Sequence, residues 1–146
     1  FDASFGYTDA SYDEFNGQDV TGDGVPDPAL AKALKFEKVP EFTGYLGLNY
    51  ELPLSGDDAL TFRGSYSYTD KFYTDTLNRE WLAQDGFGLI DASVTFARGE
   101  RWNLSLWGKN LTDEEYIDFA ADVGTLGSWV FGGEPRRYGV EFRMTF

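Results

Sequence analysis

Cysteine and histidine are both absent from this 146-residue chain. The first absence excludes a disulfide framework and thiolate metal sites. The second removes imidazole ligands and the commonest general base, so no Ser/His/Asp set can be assembled. Basic residues are scarce, 12 against 25 acidic ones, and the net charge of -13 leaves no basic face for a nucleic acid. No apolar run approaches the roughly 18 residues of a membrane-spanning helix. A start methionine and a signal peptide are also lacking. Phe1 already falls inside an alternating run, so residues 1–146 are read as a fragment of a longer protein.

What is present is aromatic and glycine-rich, with 18% Phe, Trp and Tyr and 17 glycines. Mean hydropathy is low, at -0.39. That value does not argue against a membrane barrel, whose strands alternate lipid-facing with lumen-facing residues. Alternation is the dominant pattern here. Phe42, Gly44, Leu46, Leu48, Tyr50 and Leu52 share one face, with Thr43, Tyr45, Gly47, Asn49 and Glu51 on the other. The same period runs through Phe1 to Thr8, Leu60 to Thr69, Ile90 to Phe96, Trp102 to Lys109 and Tyr138 to Phe146. The reading is all-β, an antiparallel meander of six strands, with one short helical turn around Pro28 to Lys35.

The links alternate in length. Ser55-Gly56-Asp57-Asp58 and Arg98-Gly99-Glu100-Arg101 have hairpin-turn chemistry. The others, roughly 15–39, 73–86 and 112–134, are long, which is unusual in compact soluble domains. Short turns on one rim and long loops on the other are the habit of outer-membrane barrels. If the short turns are periplasmic, the last strand runs inward and all three long loops lie outside. Alternation alone also fits a soluble β-sandwich. Against that, the polar face is rich in Ser, Thr, Gly and Asn rather than Lys and Glu. Aromatics such as Tyr68, Phe72, Trp102, Tyr138 and Phe146 gather toward strand ends, as interfacial girdles do.

Three segments carry more. The last strand places Tyr138, Val140, Phe142, Met144 and Phe146 at every second position and ends on the aromatic. It resembles the C-terminal signal that the barrel-assembly machinery recognises, a one-sided edge strand able to be templated on an open sheet edge. In Leu106-Trp-Gly-Lys-Asn-Leu-Thr-Asp-Glu-Glu-Tyr116, residues Asn110, Leu111, Asp113 and Tyr116 resemble a segment typical of the penultimate strand of TonB-dependent receptors. Asn110 and Asp113 are suited to bonding nearby backbone amides and turning the chain out of its strand. In the first long loop, Asp19, Thr21, Asp23 and Asp27 with Gly24 approach calcium-loop spacing, although Leu30 stands where the bidentate Glu would be. A solvated turn accounts for these residues better than a calcium site does. Pro40 opens the next strand, where a missing ladder donor is harmless.

The resemblance implies a TonB-dependent outer-membrane receptor, with residues 1–146 as the C-terminal part of a large (22-stranded) transmembrane β-barrel. Six strands fall short of the smallest ordinary barrel of about eight. The plug domain and the earlier strands would lie outside this chain. The implied partners are outer-membrane lipid, the barrel-assembly machinery, the TonB complex acting through the plug, and a scarce small-molecule ligand: a ferric siderophore, haem, cobalamin or a glycan. No catalytic residues and no cofactor are expected, calcium aside. A passive porin-like or adhesive barrel, and a soluble calcium-binding β-domain, are the alternatives. The acidic stretch of residues 112–134 reads either as a mouth that attracts cationic or metal-bearing ligands or as solvated loop charge. Trp129 and Phe131 there stack on a ligand or pack the loop. Gly22-Asp23-Gly24 and Gly132-Gly133 open no helix after a strand and so are not phosphate loops.

Overall fold

The computed structural model describes residues 1–145. Six strands form one antiparallel sheet: β1 (Asp2–Tyr7), β2 (Phe42–Pro53), β3 (Asp58–Thr69), β4 (Phe87–Arg98), β5 (Trp102–Lys109) and β8 (Arg137–Met144), in the order β1-β2-β3-β4-β5-β8. Two further strands, β6 (Ile117–Asp122) and β7 (Ser128–Gly132), pair only with each other. One helical turn, α1 (Pro28–Ala31), sits in the first loop. The alternation thus marks every strand of the main sheet. The β6–β7 hairpin adds two strands to the six expected, inside the long link of residues 112–134. Its strands are short, but Ile117, Phe119 and Ala121 do alternate, and Phe119 pairs with Phe131.

Register keeps the alternation in phase across all six strands. Leu46 pairs with Tyr66, Tyr66 with Ile90, Tyr50 with Phe62, Phe62 with Val94, Val94 with Leu106, and Leu106 with Val140. Because paired residues share a face, one side of the sheet is a continuous apolar surface. A single-residue slip in any strand would put its greasy set on the wrong side. The opposite face carries Ser4, Thr43, Asn49, Arg63, Ser65, Asp91, Thr95, Ser105, Lys109 and Glu141, with the Thr95 and Ser105 hydroxyls bonded at 2.8 Å. Trp107 leans over Gly139 there, where a Cβ would meet the indole at 2.6 Å.

Neither face of the sheet is covered. Leu48 is 59% exposed, Phe142 60% and Val140 66%. A folded soluble monomer of 16.4 kDa exposes about 7,500 Å². This chain exposes 10174 Å². Leu46, Leu48, Tyr50, Phe62, Leu106, Val140 and Phe142 are among the large hydrophobics it exposes on one face, a contiguous apolar surface of a kind that soluble monomers rarely show. Twelve-residue strands such as β2 and β4 reach about 36 Å. Tilted by about 40°, they match an apolar band about 25 Å tall. Aromatic rings mark both ends of this surface. Tyr7 packs on Phe42 at 5.2 Å at one end, and Trp102 packs between Phe96 and Phe142 at 5.4 and 5.9 Å at the other. Phe72 does not belong to either girdle. It lies in the second loop, where its N–H donates to Gln84 O at 3.0 Å.

Both tight turns share one rim. Gly56 at φ 72° and Gly99 at φ 51° take the left-handed conformation that closes them. The Gly99 N–H donates to Asp57 O at 3.0 Å and ties the turns together. The Thr145 N–H donates to Arg101 O at 2.9 Å, so the last strand ends at this rim. The three long links, 8–41, 70–86 and 110–136, meet at the other rim. The largest fully buried side chain among the described residues, Leu82, belongs to this loop layer, and Ala31 and Ala120 are buried with it. The core of the chain is therefore a cap over the sheet's end, and the sheet has none.

Candidate functional site

The site to consider is the long-loop rim, where the chain gathers polar contacts and exposed aromatics. It is built from the end of β5. Asn110, 4% exposed at φ 48°, leaves the strand as its N–H donates to Asp91 Oδ1 at 2.9 Å. Its side-chain amide donates to Glu114 O at 2.8 Å and Glu134 O at 3.1 Å, while its Oδ1 accepts the Glu114 N–H at 2.8 Å. Left-handed backbone suits Asn better than most residues, and a buried amide needs all these partners. The Leu111 N–H donates to Ile90 O at 2.8 Å. Asp113, also left-handed at φ 58°, accepts the Arg136 N–H at 3.1 Å and faces its guanidinium at 3.3 Å. Tyr116 stacks on Phe87 at 4.6 Å and lies over Gly133, where the ring leaves no room for a Cβ. These four residues thus fasten the two ends of the third loop to each other and to β4.

Above this base, the β6–β7 hairpin rests on the other two loops. The Ile117 N–H donates to Gln84 Oε1 at 2.5 Å. Lys38 Nζ donates to Asp118 O at 2.9 Å and lies 5.3 Å from the Phe119 ring. Arg79 pairs with Asp122, with Asp75 at 3.3 Å, and lies 5.8 Å from the Trp81 ring. Partial desolvation raises the Asp122 carboxyl, but the Ser128 hydroxyl and Arg79 outweigh it and hold it below its ordinary value. The first and second loops join through Asn78, which donates to Lys35 O at 3.0 Å and accepts the Lys35 N–H at 2.5 Å. Within the second loop Lys71, and then the Tyr73 hydroxyl, hold Glu80 below its ordinary value. Lys38, Arg79 and Gln84 are not evident from sequence, because each acts across loops far apart in the chain. The one signal was that cations are few in acidic loops.

The hairpin leaves Leu126, Trp129, Val130 and Phe131 more than half exposed. Beside its base is an open cleft of about 770 Å³, lined among others by Asp85, Gly86, Glu114, Glu115, Tyr116 and Gly133. This surface offers stacking faces, carboxylates and backbone groups to a ligand arriving from the loop side.

The other candidate residues lie apart from it. Asp19 accepts the Gly22 and Gly24 N–H groups at 2.6 and 2.7 Å, and the Gly24 bond leads in lowering its carboxyl pKa. Asp27 accepts from the Val20 and Thr21 amides, both at 3.0 Å, and from the Thr21 hydroxyl at 3.1 Å. Asp23 accepts the Val25 N–H at 2.8 Å. The side chains proposed for calcium thus order their own loop. Among the described residues, no three acidic side chains are grouped to hold a metal ion. Tyr138, Val140, Phe142 and Met144 line the apolar face of β8, the sheet's last strand. Phe146 falls outside the described residues.

A family sequence model described as TonB dependent receptor-like, beta-barrel, matches residues 1–111. The chain belongs to the TonB-dependent receptor family. It is accordingly an outer-membrane protein. The soluble β-domain alternative is thereby set aside. Two solved structures share the fold. The ferric yersiniabactin uptake receptor FyuA from Yersinia pestis superposes with a TM-score of 0.73 at 23% identity, over 82% of this chain and 18% of that one. BauA, the ferric preacinetobactin receptor from Acinetobacter baumannii, gives 0.56 at 22% identity, over 77% and 16%. The chain spans less than a fifth of the length of either. No curated protein sequence matches it.

Proposed function

We propose that the complete protein is a TonB-dependent uptake receptor that captures a scarce ligand outside the cell, with a ferric siderophore the leading class. The single observation that carries this is the polarity of the wall. All three long loops stand at one rim, interlocked, with both tight turns at the other, on a sheet whose outward face is continuously apolar. Membership of the receptor family gives that architecture its use. The two structural neighbours are described as receptors for ferric siderophores, which favours iron over the other ligand classes. In this reading the chain supplies barrel wall, a sector of the ligand-gathering mouth and the terminal strand. The remaining strands of a 22-stranded barrel and a plug domain come from the rest of the polypeptide, and the inner-membrane TonB complex acts through that plug. No residue of this segment performs catalysis. Deleting the gene in the source bacterium should abolish uptake of at least one iron-radiolabelled chelate under iron limitation, as should loss of TonB. Uptake of every iron chelate unchanged in the deletion strain would refute the iron reading.

Assembly follows from the same picture. Tyr138, Val140, Phe142, Met144 and Phe146 form the assembly signal in this proposal. Phe146→Glu should impair membrane insertion, with heat-modifiable mobility on gels as the measure. A normally assembled Phe146→Glu protein would count against it.

A further inference from the structure

The three outer loops do not stand separately. Beyond the anchors at its base, the β6–β7 hairpin is held by contacts from the other two: Gln84 on the Ile117 amide, Lys38 on the Asp118 carbonyl and the Phe119 ring, and Arg79 on the Asp122 carboxylate. The first loop is fixed to the second by Asn78 and by the Lys38 N–H, which donates to Tyr73 O at 2.8 Å. Of these ties only the one from Arg79 joins two opposite charges across loops. Arg79 is also restrained on its own side, by Asp75 and by the Trp81 ring, so its guanidinium is set in place before it meets the hairpin. Arg79 and Asp122 are both partly buried, at 30% and 23% side-chain exposure, so water screens the pair less than a fully exposed one. Asp122 in turn accepts from the Ser128 hydroxyl at 3.1 Å, which joins β6 to β7 at the hairpin's tip.

We propose that Arg79 is a positioning residue: it holds the β6–β7 hairpin, with Trp129 and Phe131, over the mouth, so that the three loops open and close as one body. A ligand that displaced the hairpin would then disturb residues 35–38 and 72–84 as well, and a ligand bound to either of those loops would be sensed by the hairpin. The coupling runs through these contacts and is independent of which ligand the receptor takes.

The test is amide hydrogen exchange on the full-length receptor in detergent micelles, comparing wild type with Arg79→Met, Asp122→Asn and Arg79→Lys. Heat-modifiable mobility first establishes that each variant is a folded barrel. Arg79→Met and Asp122→Asn should each speed exchange in residues 117–132 by about tenfold, the effect expected of one local tie in a low-stability loop. Exchange in residues 35–38 should rise with it, while β3 and β4 stay unchanged. Arg79→Lys, which keeps the charge but not the planar fork, should restore part of the protection. Faster exchange confined to residues 75–82, or loops that respond independently, would overturn the proposal. So would Arg79→Lys behaving as Arg79→Met does.

Discussion

Leu106 is half exposed, and in a water-soluble protein replacing it with arginine would change stability by no more than about 0.5 kcal/mol. The bilayer reading demands something different. Leu106 sits between Val94 and Val140 on the apolar face, four residues along β5 from Trp102. At about 3.3 Å per residue and a tilt of about 40°, it lies about 10 Å from the level of that indole, near the middle of an apolar band about 25 Å tall. Arginine at the midplane of a membrane barrel costs about 2–4 kcal/mol. The control is Thr61→Arg. Thr61 is on the lumen face, paired with Glu51 and Thr95, where a new cation gains a cross-strand carboxylate. Both variants, made in the full receptor, are to be refolded into lipid vesicles and unfolded in urea. Leu106→Arg should lose the stated 2–4 kcal/mol, and Thr61→Arg should stay close to wild type. If Leu106→Arg assembles normally with a shift below about 0.5 kcal/mol, the face is not in contact with lipid and the assignment of the two faces fails.

Asn110→Ala removes three side-chain hydrogen bonds from a buried position and leaves alanine at a positive φ. It should loosen the third loop by about 2–4 kcal/mol, seen as protease cleavage within residues 110–136 while the barrel stays intact. Cleavage as slow as in wild type would show that the knot is dispensable. The depressed Asp122 carboxyl sets a pH dependence. Its ion pair supports the hairpin above the ordinary carboxylate value of 3.8 and is lost as pH falls through the lower folded value. Amide protection factors in residues 117–132 should therefore hold level from pH 7 to about 5 and decline only below about 4. A decline centred near pH 6 would point to another group. For the loop at Asp19, calorimetric titration with calcium should show no saturable binding below the millimolar range, because its carboxylates already serve backbone amides. Micromolar binding abolished by Asp19→Asn would establish the calcium loop instead.

The sheet was legible because its physics is local and periodic. Two faces in contact with different media impose a period of two on every strand, and Gly56 and Gly99 punctuate the turns where a positive φ is required. The alternating link lengths then ordered the rims. What escaped was everything that depends on one loop meeting another. The β6–β7 hairpin was hidden by its length: six and five residues with a bulge between Ile117 and Phe119 give too few alternations to stand out from a loop. Asn110 was readable as a residue that bonds nearby amides. That it also reaches Glu134 was not, since 24 residues separate them. The spacing of Asp19, Thr21, Asp23 and Asp27 is as compatible with Asx-type turns as with a calcium loop, because both place a carboxylate within reach of amides two to five residues on.

The composition itself looks different once the charges are placed. The three loops hold 18 of the 25 acidic residues and 6 of the 12 basic ones, so they carry a net charge of -12 and the rest of the chain only -1. A chain that reads as uniformly acidic is in fact a near-neutral wall beneath a strongly acidic cap. Such a cap repels itself, and over the roughly 8 Å of physiological screening the repulsion acts between neighbouring loops. Five of its six cations are engaged in ties: Lys35 with Glu41, Lys38 with the Asp118 carbonyl, Lys71 with Glu80, Arg79 with Asp75 and Asp122, and Arg136 with Asp113. In a charge-balanced loop the loss of one such pair is compensated by its neighbours. Here there is almost no spare cation to take its place, so the acid surplus of the loops also makes their interlocked arrangement depend on a handful of lysines and arginines.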